Sequence, residues 1–141
     1  WMGIGFNHTC WLMKDGRVMC WGENGLGALG DGTHESKKEP TPVLGIDSAV
    51  QLSIAGLHSC ALLADKTVRC WGHGADGQLG NGDLDSRNVP TPVEGLVGAT
   101  DIAAGSFASC ALAGEHELYC WGTYVPGATE IETLPVKVTW E

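Results

Sequence analysis

An all-β array of repeated blades is the fold class that this 141-residue sequence predicts, and three observations predict it. Six cysteines fall at Cys10, Cys20, Cys60, Cys70, Cys110 and Cys120, ten positions apart within a pair and fifty apart between pairs. The flanking sequence repeats with them: HTCWLMKDGRVMCWG (8–22), HSCALLADKTVRCWG (58–72) and ASCALAGEHELYCWG (108–122). Glycine is 21 of 141 residues, about twice the usual share, and no stretch holds the apolar period of a helix. A fixed long period marks stacked supersecondary units. Four strand segments per fifty residues suit a β-propeller blade, whereas a β-solenoid coil is usually shorter. The expected organisation is one repeat domain, 1–141, with units 1–50, 51–100 and 101–141, a partial or oligomer-completed propeller.

Each unit is expected to open on a short strand, carried by WMGIG (1–5), AVQLSIAG (49–56) and ATDIAAG (99–105). The Cys-to-Cys segment then reads as a β-hairpin turning at Asp15, Asp65 or Glu115. Gly16 is a good turn residue there; Lys66 and His116 are poorer ones. This register sets residue 10 opposite 20 and 12 opposite 18. Strand side chains alternate between faces. One face therefore carries Cys10, Leu12, Val18 and Cys20 and their equivalents, all apolar or Cys. The other varies: Trp11, Met13 and Met19 against Ala61, Leu63 and Arg69, and against Ala111, Ala113 and Tyr119. The expectation is a constant inner face and a variable outer one. A further strand is expected at PVLGI and PVEGL, after the paired prolines.

Between hairpin and prolines lies GLGALGDG (25–32), which fits the G-x-G-x-x-G loop of dinucleotide sites. The second copy, ADGQLGNG (75–82), puts Ala75 where the first has Gly25 and loses that fingerprint. A dinucleotide loop opens a helix, but the stretch after Gly30, DGTHESKKEPTP, has no helical period and is stopped by two prolines. The glycines are thus read as a tight repeated turn with positive φ.

Opposed hairpin positions place the two cysteines of each pair within reach of a disulfide after local adjustment. Zinc prefers closer Cys spacing and a repeated His, and no C-x-x-C motif is present. Three intra-blade disulfides, Cys10–Cys20, Cys60–Cys70 and Cys110–Cys120, are the favoured reading, with buried reduced pairs as the alternative. Disulfides imply a secreted, cell-surface or periplasmic setting. Eight basic and 17 acidic residues give a net charge of −9, which disfavours nucleic acid and anionic lipid. No apolar run is long enough to span a bilayer. The chain opens on Trp1 inside patterned sequence, without a signal peptide, as expected of a processed or trimmed piece.

H-[ST]-C-A-L…V-x-C-W-G, followed by G-x-L-G-[DN]-G and P-T-P-V, resembles the regulator-of-chromosome-condensation repeat family in its Cys-containing extracellular and bacterial form. The resemblance covers two full units and a divergent third, since WGTYVPGATEIETLPVKV (121–138) lacks the glycine turn. It implies a seven-bladed propeller of four-stranded blades that binds proteins through its loops. Family members include a nucleotide exchange factor, an ultraviolet-B receptor, a β-lactamase inhibitor and extracellular parts of receptor kinases. Acidic charge and disulfides fit the exchange factor poorly. Trp21, Trp71 and Trp121 read as structural repeat positions, unlike the receptor's tryptophans.

Chemistry-capable residues are few, and no catalytic residue, cofactor or metal is expected. His8 and His58 repeat, but Ala108 replaces them in unit three; His34, His73 and His116 have no triad partners. Asn81-x-Asp83-x-Asp85 opens like a calcium loop but has Ser86 and Pro92 where the EF-hand needs Gly and Glu. Asn7-His8-Thr9 is a glycosylation sequon, at a position expected to lean inward because Leu57 and Phe107 are its equivalents. Candidate partner-binding residues are Trp11, Met13, Met19, Tyr119, Tyr124, Lys37, Lys38 and Arg87, on variable strands and loops. The expected function is a non-catalytic extracellular protein-binding module. Its alternative is a self-assembling building block, a homo-oligomer in which the tail LPVKVTWE (134–141) completes a blade of another copy.

Overall fold

A computed structural model describes residues 1–140. Twelve strands run in chain order: β1 (Met2–Ile4), β2 (His8–Leu12), β3 (Val18–Gly22), β4 (Lys37–Pro42), β5 (Ala49–Ile54), β6 (His58–Leu63), β7 (Val68–Gly72), β8 (Arg87–Pro92), β9 (Ala99–Ala104), β10 (Ala108–Ala113), β11 (Glu117–Gly122) and β12 (Glu132–Lys137). They form three four-stranded antiparallel sheets, each in simple sequence order: β1-β2-β3-β4, β5-β6-β7-β8 and β9-β10-β11-β12. These are the blades of an all-β propeller array.

The hairpin register is the expected one. Cys10 lies opposite Cys20 and Leu12 opposite Val18, and the other two sheets repeat the pairing. Gly16, Lys66 and His116 all take positive φ at the turn, +87°, +66° and +69°. The backbone therefore demands the left-handed conformation even where the residue there is not glycine. The glycine loops behave likewise: Gly27, Gly30 and Gly32, and Gly77, Gly80 and Gly82, all have positive φ.

The fourth strand is KKEPTP or RNVPTP rather than the segment after the prolines. Pro lacks the N–H that a central strand must donate, so it suits an outer edge, and β4 and β8 pair on one side only. Beyond them the chain turns at Gly45 and Gly95, both with positive φ, and crosses to the next blade.

Both faces of a sheet bury apolar surface, which corrects the inner-and-outer reading. The constant face of one blade packs on the variable face of the next. Cys10, Val18 and Cys20 share a core with Ala61, Leu63 and Trp71. Cys60, Leu62 and Val68 share another with Ala111, Ala113 and Trp121. The middle hairpin is accordingly buried along all of β6. Alternation cannot show this, because a sheet covered on both sides keeps apolar residues on both.

The tail also departs from expectation. β12 pairs with β11 of its own sheet, Cys120 opposite Val136, while β1 pairs with β2. Every blade draws four strands from one continuous segment, so no blade awaits a strand from another copy. Residue 141, the last of the expected third unit, lies outside the described residues.

Candidate functional site

Two surfaces merit a functional reading, and both are built by the joints between blades. Gly30 sits where a Cβ would come within 2.9 Å of the Trp71 indole, and Gly80 repeats this at 2.8 Å from Trp121. The glycines leave a notch for the tryptophan of the following blade. There Trp71 Nε1 donates to the Ala28 carbonyl at 3.0 Å, and Trp121 Nε1 to that of Gln78 at 2.9 Å. Both indoles are buried. Trp21, their equivalent in the first blade, is only partly buried and makes no such bond among the described residues.

A histidine pins each joint a second time. His8 Nε2 lies 2.9 Å from Ser59 Oγ, and His58 Nε2 lies 2.8 Å from Ser109 Oγ. Ser109 spends its single hydroxyl proton on the Gln78 carbonyl, so His58 Nε2 must carry the proton given to Ser109. His58 Nδ1 is then a buried acceptor without a partner. Burial lowers the pKa of His8 to about 4 and that of His58 to about 3. Both are neutral and sit in the joints between blades.

The three disulfides stand at the centres of the hairpins, Cys10–Cys20, Cys60–Cys70 and Cys110–Cys120, and no described cysteine is free. Each crosses between the two middle strands of its blade.

The expected partner-binding residues do not form one site. Trp11, Met13 and Met19 lie on the variable face of the first blade, which no blade of this chain covers; Trp11 is 44% exposed. Tyr119 occupies the position of Met19 in the third blade, but there it packs on the core between the second and third blades. Its hydroxyl donates to Glu117, whose carboxylate is held below its ordinary pKa by Lys137 and by that bond. Lys37 pairs with Glu35 at 3.2 Å and Arg87 with Asp83 at 2.5 Å, on outer strands, with Lys38 exposed beside them. Asp83 also accepts the Asp85 N–H. Among the described residues no cluster of His, Cys, Asp or Glu could hold a metal.

Tyr124 is 86% exposed at the other surface, the edge formed by the β1–β2 type turns and the glycine-loop side. Phe107 meets it edge-to-face at 6.5 Å. Phe6 is exposed at the equivalent turn of the first blade, and Leu26 on its glycine loop. Between the first two blades this edge carries a small groove lined by Asn7, Glu23, Leu26 and Leu57. Asn7 is exposed rather than inward-leaning, and its amide donates to Glu23 at 2.7 Å. Sequence reading missed Phe6, Leu26 and Phe107 as surface residues; they do not recur at the fifty-residue period, and the only signal was an apolar residue in a turn.

Two successive matches to the regulator of chromosome condensation (RCC1) repeat cover residues 15–62 and 67–112, and a second model of that repeat matches 50–78. The chain belongs to the RCC1 repeat family. The family unit starts at one hairpin turn and ends in the next hairpin, so it straddles two blades of the RCC1-type array.

No curated protein matches the chain in sequence. Among solved structures, human WBSCR16 superposes with a TM-score of 0.86 at 23% identity, over 98% of this chain and 37% of that one. Prp20p from Saccharomyces cerevisiae, studied for its binding to Gsp1p and histones, gives 0.85 at 22%, over 99% and 38%. The ectodomain of the Physcomitrella patens receptor kinase CR4 gives 0.57 at 23%, over 89% and 29%. At these identities the likeness is one of fold. The chain spans less than two fifths of each of these structures.

Proposed function

We propose that the chain is a non-catalytic protein-binding propeller module of an oxidising, extracellular compartment, acting as one repeat domain with units 1–50, 51–100 and 101–141. The observation that carries this reading is the apolar edge of Phe6, Leu26, Phe107 and Tyr124, exposed on blades that are each cross-linked internally. Large aromatic side chains held on a rigid frame are the usual anchors of protein contacts. Prp20p, of the same fold, is described with Gsp1p, histones and Kap60, which supports protein binding as a use of this architecture. The net charge of −9 argues against nucleic acid as the ligand.

Tyr124→Ala combined with Phe107→Ala tests the reading. The wild-type chain, immobilised in its oxidised form, is expected to retain a specific protein from culture medium or periplasmic extract of its source. The double variant should lose it. Retention by both proteins, or by neither, overturns the assignment of this edge.

A further inference from the structure

The loop edge mixes apolar and acidic side chains where the blades meet. At the joint of the first two blades, Glu23 and Leu26 of the leading loop line one small groove with Leu57 of the following turn. At the next joint Phe107 takes the place of Leu57, and the loop supplies Asp76. Thr123 ties these two, its N–H donating to the Phe107 carbonyl at 2.8 Å and its hydroxyl to the Asp76 carbonyl at 3.3 Å. The middle blade has a blade on each side, so the exposure of its edge is a property of the closed joints. There Leu57 and Asp76 stay partly exposed, Asp85 is exposed, and Leu84 is 47% exposed.

The carboxylates of this edge are held in place but not neutralised by Lys or Arg. Glu23 accepts the Asn7 amide on Oε2, and Asp76 meets His73 Nε2 on Oδ2. Oε1 of Glu23, Oδ1 of Asp76 and the whole Asp85 carboxylate accept no hydrogen bond among the described residues. None of the eight Lys and Arg residues falls in the turns and loops of this edge, 5–7, 23–36, 55–57, 73–86, 105–107 and 123–131. Lys37 and Arg87 stand where the loops run into β4 and β8, and Glu35 and Asp83 take them up. Lys14, Arg17 and Lys66 lie at the hairpin turns, the other end of β2 and β6. Carboxylates gathered without counter-charge repel one another, and a cationic partner relieves that repulsion.

Given that this edge binds protein, as proposed above, we infer that its partner is a basic protein segment in which Lys or Arg alternates with apolar side chains. The apolar side chains rest on Leu26, Leu57 and Leu84, and the cations take the free oxygens of Glu23, Asp76 and Asp85. Both halves of the pattern are required. An acidic or wholly apolar segment would cover these carboxylates without pairing them, which is costly. A cation-rich segment without apolar groups would leave the leucines in water.

A short dye-labelled peptide alternating arginine with tryptophan is the probe, read by fluorescence anisotropy against the oxidised chain. Peptides alternating glutamate with tryptophan, and arginine with glycine, are its controls. Only the first is expected to bind well, with a Kd that rises roughly fivefold or more between about 0.01 M and 0.15 M salt. Glu23→Gln combined with Asp76→Asn should weaken it by about five- to tenfold. Asp47→Asn combined with Glu94→Gln removes the same charge from the opposite edge and should change it by less than about twofold. All four residues lie outside the cores, so the blades should stay folded, which circular dichroism verifies. An arginine–tryptophan peptide that does not bind overturns the inference, as does a control peptide that binds equally well or an equal loss from the two edges. A partner held through Phe107 and Tyr124 whose retention ignores Glu23→Gln with Asp76→Asn keeps the protein-binding reading and removes this one.

Discussion

His58 shows how a single side chain ties fold to conditions. Its folded pKa, about 3, and that of His8, about 4, lie below the ordinary value of 6.5. The unfolded chain therefore binds protons that the folded chain refuses, and stability is complete above pH 6.5 and lost as pH falls below it. Asp15, Asp31, Asp65 and Glu117 are also held below their ordinary values of 3.8 and 4.5, but their contribution is lost only as pH falls below about 5, so the interval from pH 6.5 to about 5.5 reports the histidines. Urea midpoints should fall across that interval in the wild-type chain, and the slope should flatten in His58→Gln. Lys66 offers the converse case. Its φ of +66° costs a non-glycine residue roughly 1–2 kcal/mol, partly offset by the entropy glycine loses on folding. Lys66→Gly is expected to raise stability by about 0.5–1 kcal/mol in the same measurement. Gly80→Ala should instead cost roughly 2–4 kcal/mol, from positive φ and from the Trp121 ring 2.8 Å from the new methyl.

The hairpin is the element most legible in the sequence. Cys10 opposite Cys20, and the turn one residue past Asp15, follow from ten-residue spacing and two-residue alternation alone. What alternation hides is a neighbour: Ala61 and Leu63 look like an outward face until another blade lies against them. The proline segments misled for a related reason, since the further strand is expected at PVLGI and not across Pro40 and Pro42, although an edge strand tolerates them. The loop-edge aromatics Phe6 and Phe107 were invisible because a turn residue's exposure depends on the blades flanking it. Each disulfide closes a ten-residue separation, worth about 2.5–3 kcal/mol in the chain-entropy picture. Replacing Cys60 and Cys70 together by alanine should lower unfolding stability by about that amount, read from denaturant midpoints without reductant. The middle pair should be the most sensitive, because its sheet is covered on both sides.

At the scale of the molecule, the chain is a short stack with a direction. Every blade looks forward with its disulfide face and backward with its variable one, and the joints repeat the same two pins, tryptophan into a glycine notch and histidine onto serine. The aromatic edge lies across this direction, on the turns rather than on the faces that the joints use.

The glycine notch carries one more consequence. Since Gly30 meets Trp71 as Gly80 meets Trp121, and His8 meets Ser59 as His58 meets Ser109, the joints are interchangeable parts. A chain from which residues 51–100 are excised would bring Trp121 to Gly30 and Ser109 to His8 with the same spacing. The fold thus tolerates loss or duplication in whole steps of fifty residues while punishing an insertion of any other length inside a blade, so evolution can count blades without redesigning them.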